Sequence, residues 1–137
     1  MTESFHVHCY GPSELDSGEL SKRTHPAIPT SFEAALERLQ RLLPQVLFEP
    51  DGSLAWASPS HQVVGMVYDA QTTIQYVELR GHCDGQQFIE LVRTLAGTDD
   101  VGSYQLMLLP QRQWKDLQTF AKTLPGGVNS NPAESRD

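Results

Sequence analysis

The sequence is short of most features that would announce a chemistry. It holds two cysteines, Cys9 and Cys83, too few and too far apart for the disulfide framework that stabilises small secreted domains. Reduced thiols are the expectation. No CxxC or HExxH pair occurs, there is no Gly-rich phosphate loop, and no serine sits in a Gly-x-Ser-x-Gly elbow. The spacings that mark structural zinc sites, zinc proteases, nucleotide cradles and α/β-hydrolase nucleophiles are therefore missing. Apolar runs are short as well. None approaches the roughly 20 residues that span a bilayer, and Met1–Phe5 carries neither the basic start nor the apolar stretch of a signal peptide. A cytoplasmic protein with no membrane contact is expected.

Positive charge is scarce. Ten Lys and Arg stand against 17 Asp and Glu, a formal net charge of −7, so a phosphate backbone is repelled at long range. Lys22-Arg23 is the one adjacent basic pair, and no basic run interleaves with aromatics as a single-strand binding groove requires. Nucleic acid is not an expected partner. An acidic chain of this size suits a basic protein partner instead, as an inhibitor or immunity-type protein would.

What is present fits a globular chain. Hydrophobic residues make up 39% of 137 residues, enough for one domain over residues 1–137 that buries about two-thirds of its unfolded surface and needs no metal or disulfide to be stable. Phe5 to Tyr10 alternates and reads as a first strand, with Phe5, Val7 and Cys9 on one face and His6, His8 and Tyr10 on the other. Gly11 to Pro29 is polar and broken by Gly11-Pro12, Ser17-Gly18, Pro26 and Pro29, which predicts a long loop. Thr30-Ser31-Phe32-Glu33 has capping-box spacing. The helix it opens carries Phe32, Ala35, Leu36, Leu39, Leu42 and Leu43 on one stripe, and Pro44 ends it.

Two hairpins follow. Val46–Phe48 and Leu54–Trp56 flank Glu49-Pro50-Asp51-Gly52, a turn sequence; Gln62–Tyr68 and Thr72–Leu79 flank Asp69-Ala70-Gln71. Asp84 with Gln87 caps a second helix whose apolar face is Phe88, Leu91, Val92 and Leu95, closed by Gly97. Tyr104–Leu109 suits a buried strand. Pro110 then fits the first turn of a third helix bearing Trp114, Leu117, Phe120, Ala121 and Leu124, and residues 125–137 read as a flexible tail. The order β, α, ββ, ββ, α, β, α specifies an α+β fold, an antiparallel sheet of about five to six strands with two to three helices packed on one face.

Three constellations rise above this background. Alternation puts Tyr76, Glu78, Arg80 and His82 on the side opposite Val77 and Leu79, and the preceding strand adds Met66 and Tyr68, with Trp56 joining them in one register. Aromatic area beside a guanidinium suits a protein partner or a second copy of the chain. A solvated face of cross-strand ion pairs is its ordinary alternative.

The second constellation is a set of metal-ligand types, His6, His8, His82 and Cys83, which meet only if the first strand lies beside the one carrying His82. Cys9 faces away from His6 and His8 along that strand. His6-Val7-His8 resembles the HxH pair that opens the barrel of metal-dependent amidohydrolases. The resemblance covers three residues, and a (β/α)8 barrel needs about 200 residues or more in alternating β and α order, so neither its fold nor its metal set carries over. The third is Cys83 as a nucleophile at a helix start. His82 points to the other side of the strand from it, which favours a buried, inert thiol. The expected function is a noncatalytic, protein-binding or self-associating module without cofactor. Its rival is a metal-dependent or thiol enzyme using His6, His8, His82 and Cys83.

Overall fold

The computed structural model of the chain describes residues 4–12 and 25–126. Residues 13–24 of the expected loop and 127–137 of the expected tail lie outside the described residues. The elements run β1 (Phe5–Pro12), α1 (Phe32–Leu42), β2 (Leu47–Phe48), β3 (Ser53–Ser58), β4 (His61–Ala70), β5 (Thr73–His82), α2 (Gly85–Ala96), β6 (Tyr104–Leu108), β7 (Gln113–Asp116) and α3 (Leu117–Lys122). Among the described residues, seven strands form one antiparallel sheet in the order β2-β3-β4-β5-β1-β6-β7. The chain belongs to the α+β class, with one strand more than the upper end of the sequence estimate.

The topology follows from where hairpins end. Three consecutive pairings, β2 with β3, β3 with β4 and β4 with β5, are hairpins or short returns. The β4–β5 turn is made by Gln71 and Thr72, both at positive φ (52° and 72°), the backbone hand that matches the strand twist in tight hairpins. β1 then lies against the free edge of β5, with His8 opposite Glu78 and His6 opposite Arg80. This central placement of the first strand decides the geometry of the functional site.

Alternation along the strands divides the sheet. Val7 and Cys9, Leu54 and Trp56, Val63 and Val67, Val77 and Leu79, and Leu106 are buried in one core with Leu39 of α1, Phe88, Leu91 and Leu95 of α2, and Leu117 and Phe120 of α3. Phe88 makes edge-on contacts with Phe5 and Phe120, ring centroids 5.5 and 5.2 Å apart, a favoured aromatic geometry. The helices thus cover one face.

Local signals set most element ends. In α1 the cap is Ser31, whose Oγ accepts from the Ala34 amide at 3.1 Å, so the helix starts one residue after the expected Thr30 cap. Its stripe is narrower than the sequence implied, since Leu42 is exposed. α2 has the expected reciprocal box: Asp84 accepts from the Gln87 amide at 2.7 Å, and the Gln87 side chain accepts from the Asp84 amide at 2.9 Å. It ends on Gly97 in the left-handed region. Arg38 of α1 donates to the Thr94 and Leu95 carbonyls at 2.9 and 2.8 Å, a charged cap on the negative end of α2.

The third helix departs from expectation. Pro110 lies in the turn joining β6 to β7, Trp114 is on β7, and α3 begins only at Leu117. Trp114, Leu117, Phe120, Ala121 and Leu124 satisfy a helical stripe, but Asp116 accepts from the Thr119 amide at 2.7 Å and so fixes the real start. The Gly11–Pro29 segment is also less loop-like at its described end. Gly11 bonds to the Pro26 carbonyl, and Ile28 bridges Ile74 and enters the core.

Candidate functional site on the uncovered sheet face

The second face of the sheet carries no helix among the described residues. Register assembles it in rows. Opposed across neighbouring strands are Trp114, Met107, His8, Glu78 and Met66, from β7 through β6, β1 and β5 to β4. One row along lie His6, Arg80 and Val64; on the other side Tyr76 opposes Tyr68. Side chains at i and i+2 share a face, which is why β1 contributes His6, His8 and Tyr10 together.

Aromatic rings form a continuous layer here. Tyr68 stacks on Tyr76 with centroids 4.6 Å apart, Tyr76 on Tyr10 at 5.2 Å, and Tyr10 leans on Trp114 at 5.4 Å. His25 covers the far end, 4.7 Å from Tyr10 and 4.9 Å from Trp114, and His8 lies 4.9 Å from Tyr76. Exposure rises along the layer from Trp114 and Tyr10, which are buried, to Tyr68 at 40%. The Trp114 indole nitrogen is buried without a hydrogen-bond partner among the described residues. Burial raises the Tyr76 phenol above its ordinary pKa, helped by Tyr68 and Glu78, and burial likewise raises Tyr10. Both stay neutral donors at physiological pH.

Beside the rings is a polar cluster. The Nε2 of His6 is 2.7 Å from Oε2 of Glu78, and one ligand atom from each of His6, His8 and Glu78 lies within 4.8 Å of the others. His8 is held below its ordinary pKa mainly by burial; the Glu78 charge opposes this and His6 adds to it. Arg80 is exposed next to them. A carboxylate, two imidazoles and a guanidinium can bind an anion, a metal ion or a complementary charged patch.

The expected site residues therefore separate into two groups. Met66, Tyr68, Tyr76, Glu78 and Arg80 share the uncovered face. Trp56 does not: it pairs with Val63, points to the helix side, is buried in the core and packs edge-on against the buried His61 at 4.5 Å. The short return through Ser58 and His61 fixes that parity, with Ser58 Oγ 2.8 Å from His61 Nδ1.

The expected metal set is likewise rearranged. His6 and His8 come together, but the third member of their group is Glu78, not His82 or Cys83. His82 follows Gly81, opposes Gln62, and lines a recess with His6, Arg80 and Pro110; its Nδ1 is buried without a partner among the described residues. Cys83 is 3% exposed within the core, and burial, with the Asp84 charge, pushes its thiol up to about 12. Burial alone does the same to Cys9. Neither thiol is activated. Tyr10, His25, Met107 and Trp114 complete the face and were not assigned to it from the sequence. Only Tyr10 had a signal, its parity with His6 and His8.

No helix of the described residues is long and apolar enough to cross a membrane. Comparisons with protein-family models, curated proteins and solved structures gave no match, so the chemistry of this face stands on its own residues.

Proposed function

We propose that the protein is a noncatalytic association module that pairs with a second copy of itself through the uncovered sheet face. The observation that carries this reading is the layer Tyr68, Tyr76, Tyr10 and Trp114, bordered by Met66, Met107 and Arg80 and uncovered by any helix among the described residues. Tyr, Trp, Met and Arg are the residues enriched at the centres of protein interfaces, where Lys, Ser and Ala are depleted.

Self-pairing is favoured by the charge arrangement. Glu78 and Arg80 stand two residues apart on the same side of β5, so a two-fold axis beside that strand sets Arg80 of each copy over Glu78 of the other. The cytoplasm is the setting we propose for it.

Light scattering tests this directly. A dimer is expected at micromolar concentration, and Tyr68→Asp is expected to give a monomer. Because two chains of net charge −7 repel at long range, added salt should strengthen the dimer. A basic partner held by this acidic chain would show the opposite dependence, weakening with salt. A monomer at every concentration and ionic strength sinks the self-association reading.

A further inference from the structure

We infer that His6, His8 and Glu78 form a three-ligand site for one zinc ion, with a fourth coordination position open on the uncovered sheet face. The donor set is two imidazoles and one carboxylate, the composition of catalytic zinc sites that keep an open position. Imidazole selects zinc and its transition-metal neighbours over calcium and magnesium, which take oxygen ligands.

Geometry supplies the rest. Metal–donor bonds of about 2.0 Å at tetrahedral angles set donor atoms about 3.3 Å apart, and the ligand atoms of the three residues already lie within 4.8 Å of one another. Small side-chain rotations close the difference. His6 Nε2 and Glu78 Oε2 already lie 2.7 Å apart, a contact that a shared metal ion would take over. The backbone positions are rigid: β1 and β5 are adjacent interior strands, and His8 stands directly opposite Glu78, so the ligands sit on a hydrogen-bonded ladder instead of on loops. Tyr76 packs against the His8 ring at 4.9 Å and limits its rotation.

Arg80, opposite His6, opposes a cation. It is exposed, so water screens that repulsion, and a positive charge one row from the site favours an anionic fourth ligand such as a carboxylate. His82, Cys9 and Cys83 lie outside the group, the thiols on the covered side of the sheet.

The test is calorimetric titration of tag-free, chelator-dialysed full-length protein with zinc chloride, paired with the visible spectrum of the cobalt(II) form. One equivalent per chain is expected, with a cobalt absorption typical of four-coordinate N and O ligands. His8→Ala and Glu78→Gln should each weaken binding at least about tenfold, whereas His82→Ala should leave it unchanged. Circular dichroism identifies any variant that loses its fold, and His6→Ala then replaces it. Tyr68→Asp separates this site from the proposed dimer, since it should split the pair and keep one zinc per chain. Absence of binding, binding unchanged in His8→Ala and Glu78→Gln, or loss in His82→Ala overturns the assignment.

Discussion

The two faces of the sheet are built from the same strands by the same alternation, yet they hold different materials. The covered face presents Val7, Cys9, Val63, Val67, Val77, Leu79 and Leu106 to three helices. Its residues are mostly aliphatic, with the inert Cys9 thiol and Trp56 among them, and they pack into one core. The uncovered face presents His6, His8, Tyr10, Met66, Tyr68, Tyr76, Glu78, Arg80 and Met107, and every one of them offers a ring, a charge or a polarisable sulfur. The core that stabilises the fold lies on the first face, and the proposed association uses the second, so substitutions should sort by face before they sort by residue type.

The sharpest break of that contrast is a core truncation. Phe88 is fully buried and touches both Phe5 and Phe120, so Phe88→Ala leaves a cavity among rings that cannot close around it. Urea unfolding should show a loss of about 3–5 kcal/mol, a large part of the stability of a domain this size.

Next comes the contrast in reactivity. With both thiols pushed up to about 12, alkylation of Cys9 and Cys83 in the folded protein at pH 8 should run at least about a hundredfold slower than for free cysteine. Full labelling should appear only in denaturant. The linkage has a definite sign. A thiol protonated in the fold and free to ionise when unfolded contributes stability that is present below its ordinary pKa and lost as pH rises from there toward 12, so the midpoint of unfolding should fall in alkaline buffer. A thiol that labels rapidly at neutral pH would break the assignment of both cysteines to the covered side.

Gly81 tests how the two faces are held in phase. It takes φ of 135°, and a side chain there would run into the Gln62 carbonyl oxygen of the paired strand. Gly81→Ala should cost about 2–3 kcal/mol from backbone strain and the forced shift of β4, measurable by the same urea series. Because Gly81 lies between Arg80 and His82, the variant should also disturb the recess those residues line.

How much of this was readable in advance depends on what sets each feature. Strand parity was legible wherever a run was long enough to alternate. Tyr76, Glu78 and Arg80 against Val77 and Leu79 needed only the period of two, and the Asp84–Gln87 box and Gly97 stop needed only local chemistry. The parity of Trp56 was not legible, because it depends on the length of the Ser58–His61 return, and a shift of one residue turns every side chain of β3 over. Trp114 was misassigned for a different reason: four residues of strand followed by six of helix leave too few positions for either period to show, and Asp116 is the actual boundary. The metal-ligand group needed the strand order. His6 and His8 were visible as a pair, but nothing local says that β1 returns to lie beside β5, which is what brings Glu78 to them.

The smallest expected effect on stability is the most informative about the uncovered face. Tyr68 is 40% exposed and its ring rests on Tyr76 alone among the described aromatics, so Tyr68→Ser removes one stacked pair and leaves no cavity. Its cost in a monomer should be within about 0.5–1 kcal/mol. In a dimer packed through this face the same substitution deletes a central aromatic from both sides of a two-fold contact, and truncating such a residue typically weakens association by about 2 kcal/mol or more. Urea unfolding in the dilute, monomeric range against light scattering at high concentration separates these contributions. Near-unchanged unfolding with a dimer constant weakened by at least about tenfold is the outcome that assigns Tyr68 to recognition. Equal losses in both measurements would make it an ordinary packing residue and remove the distinction between the faces at the one position where it is most exposed to test.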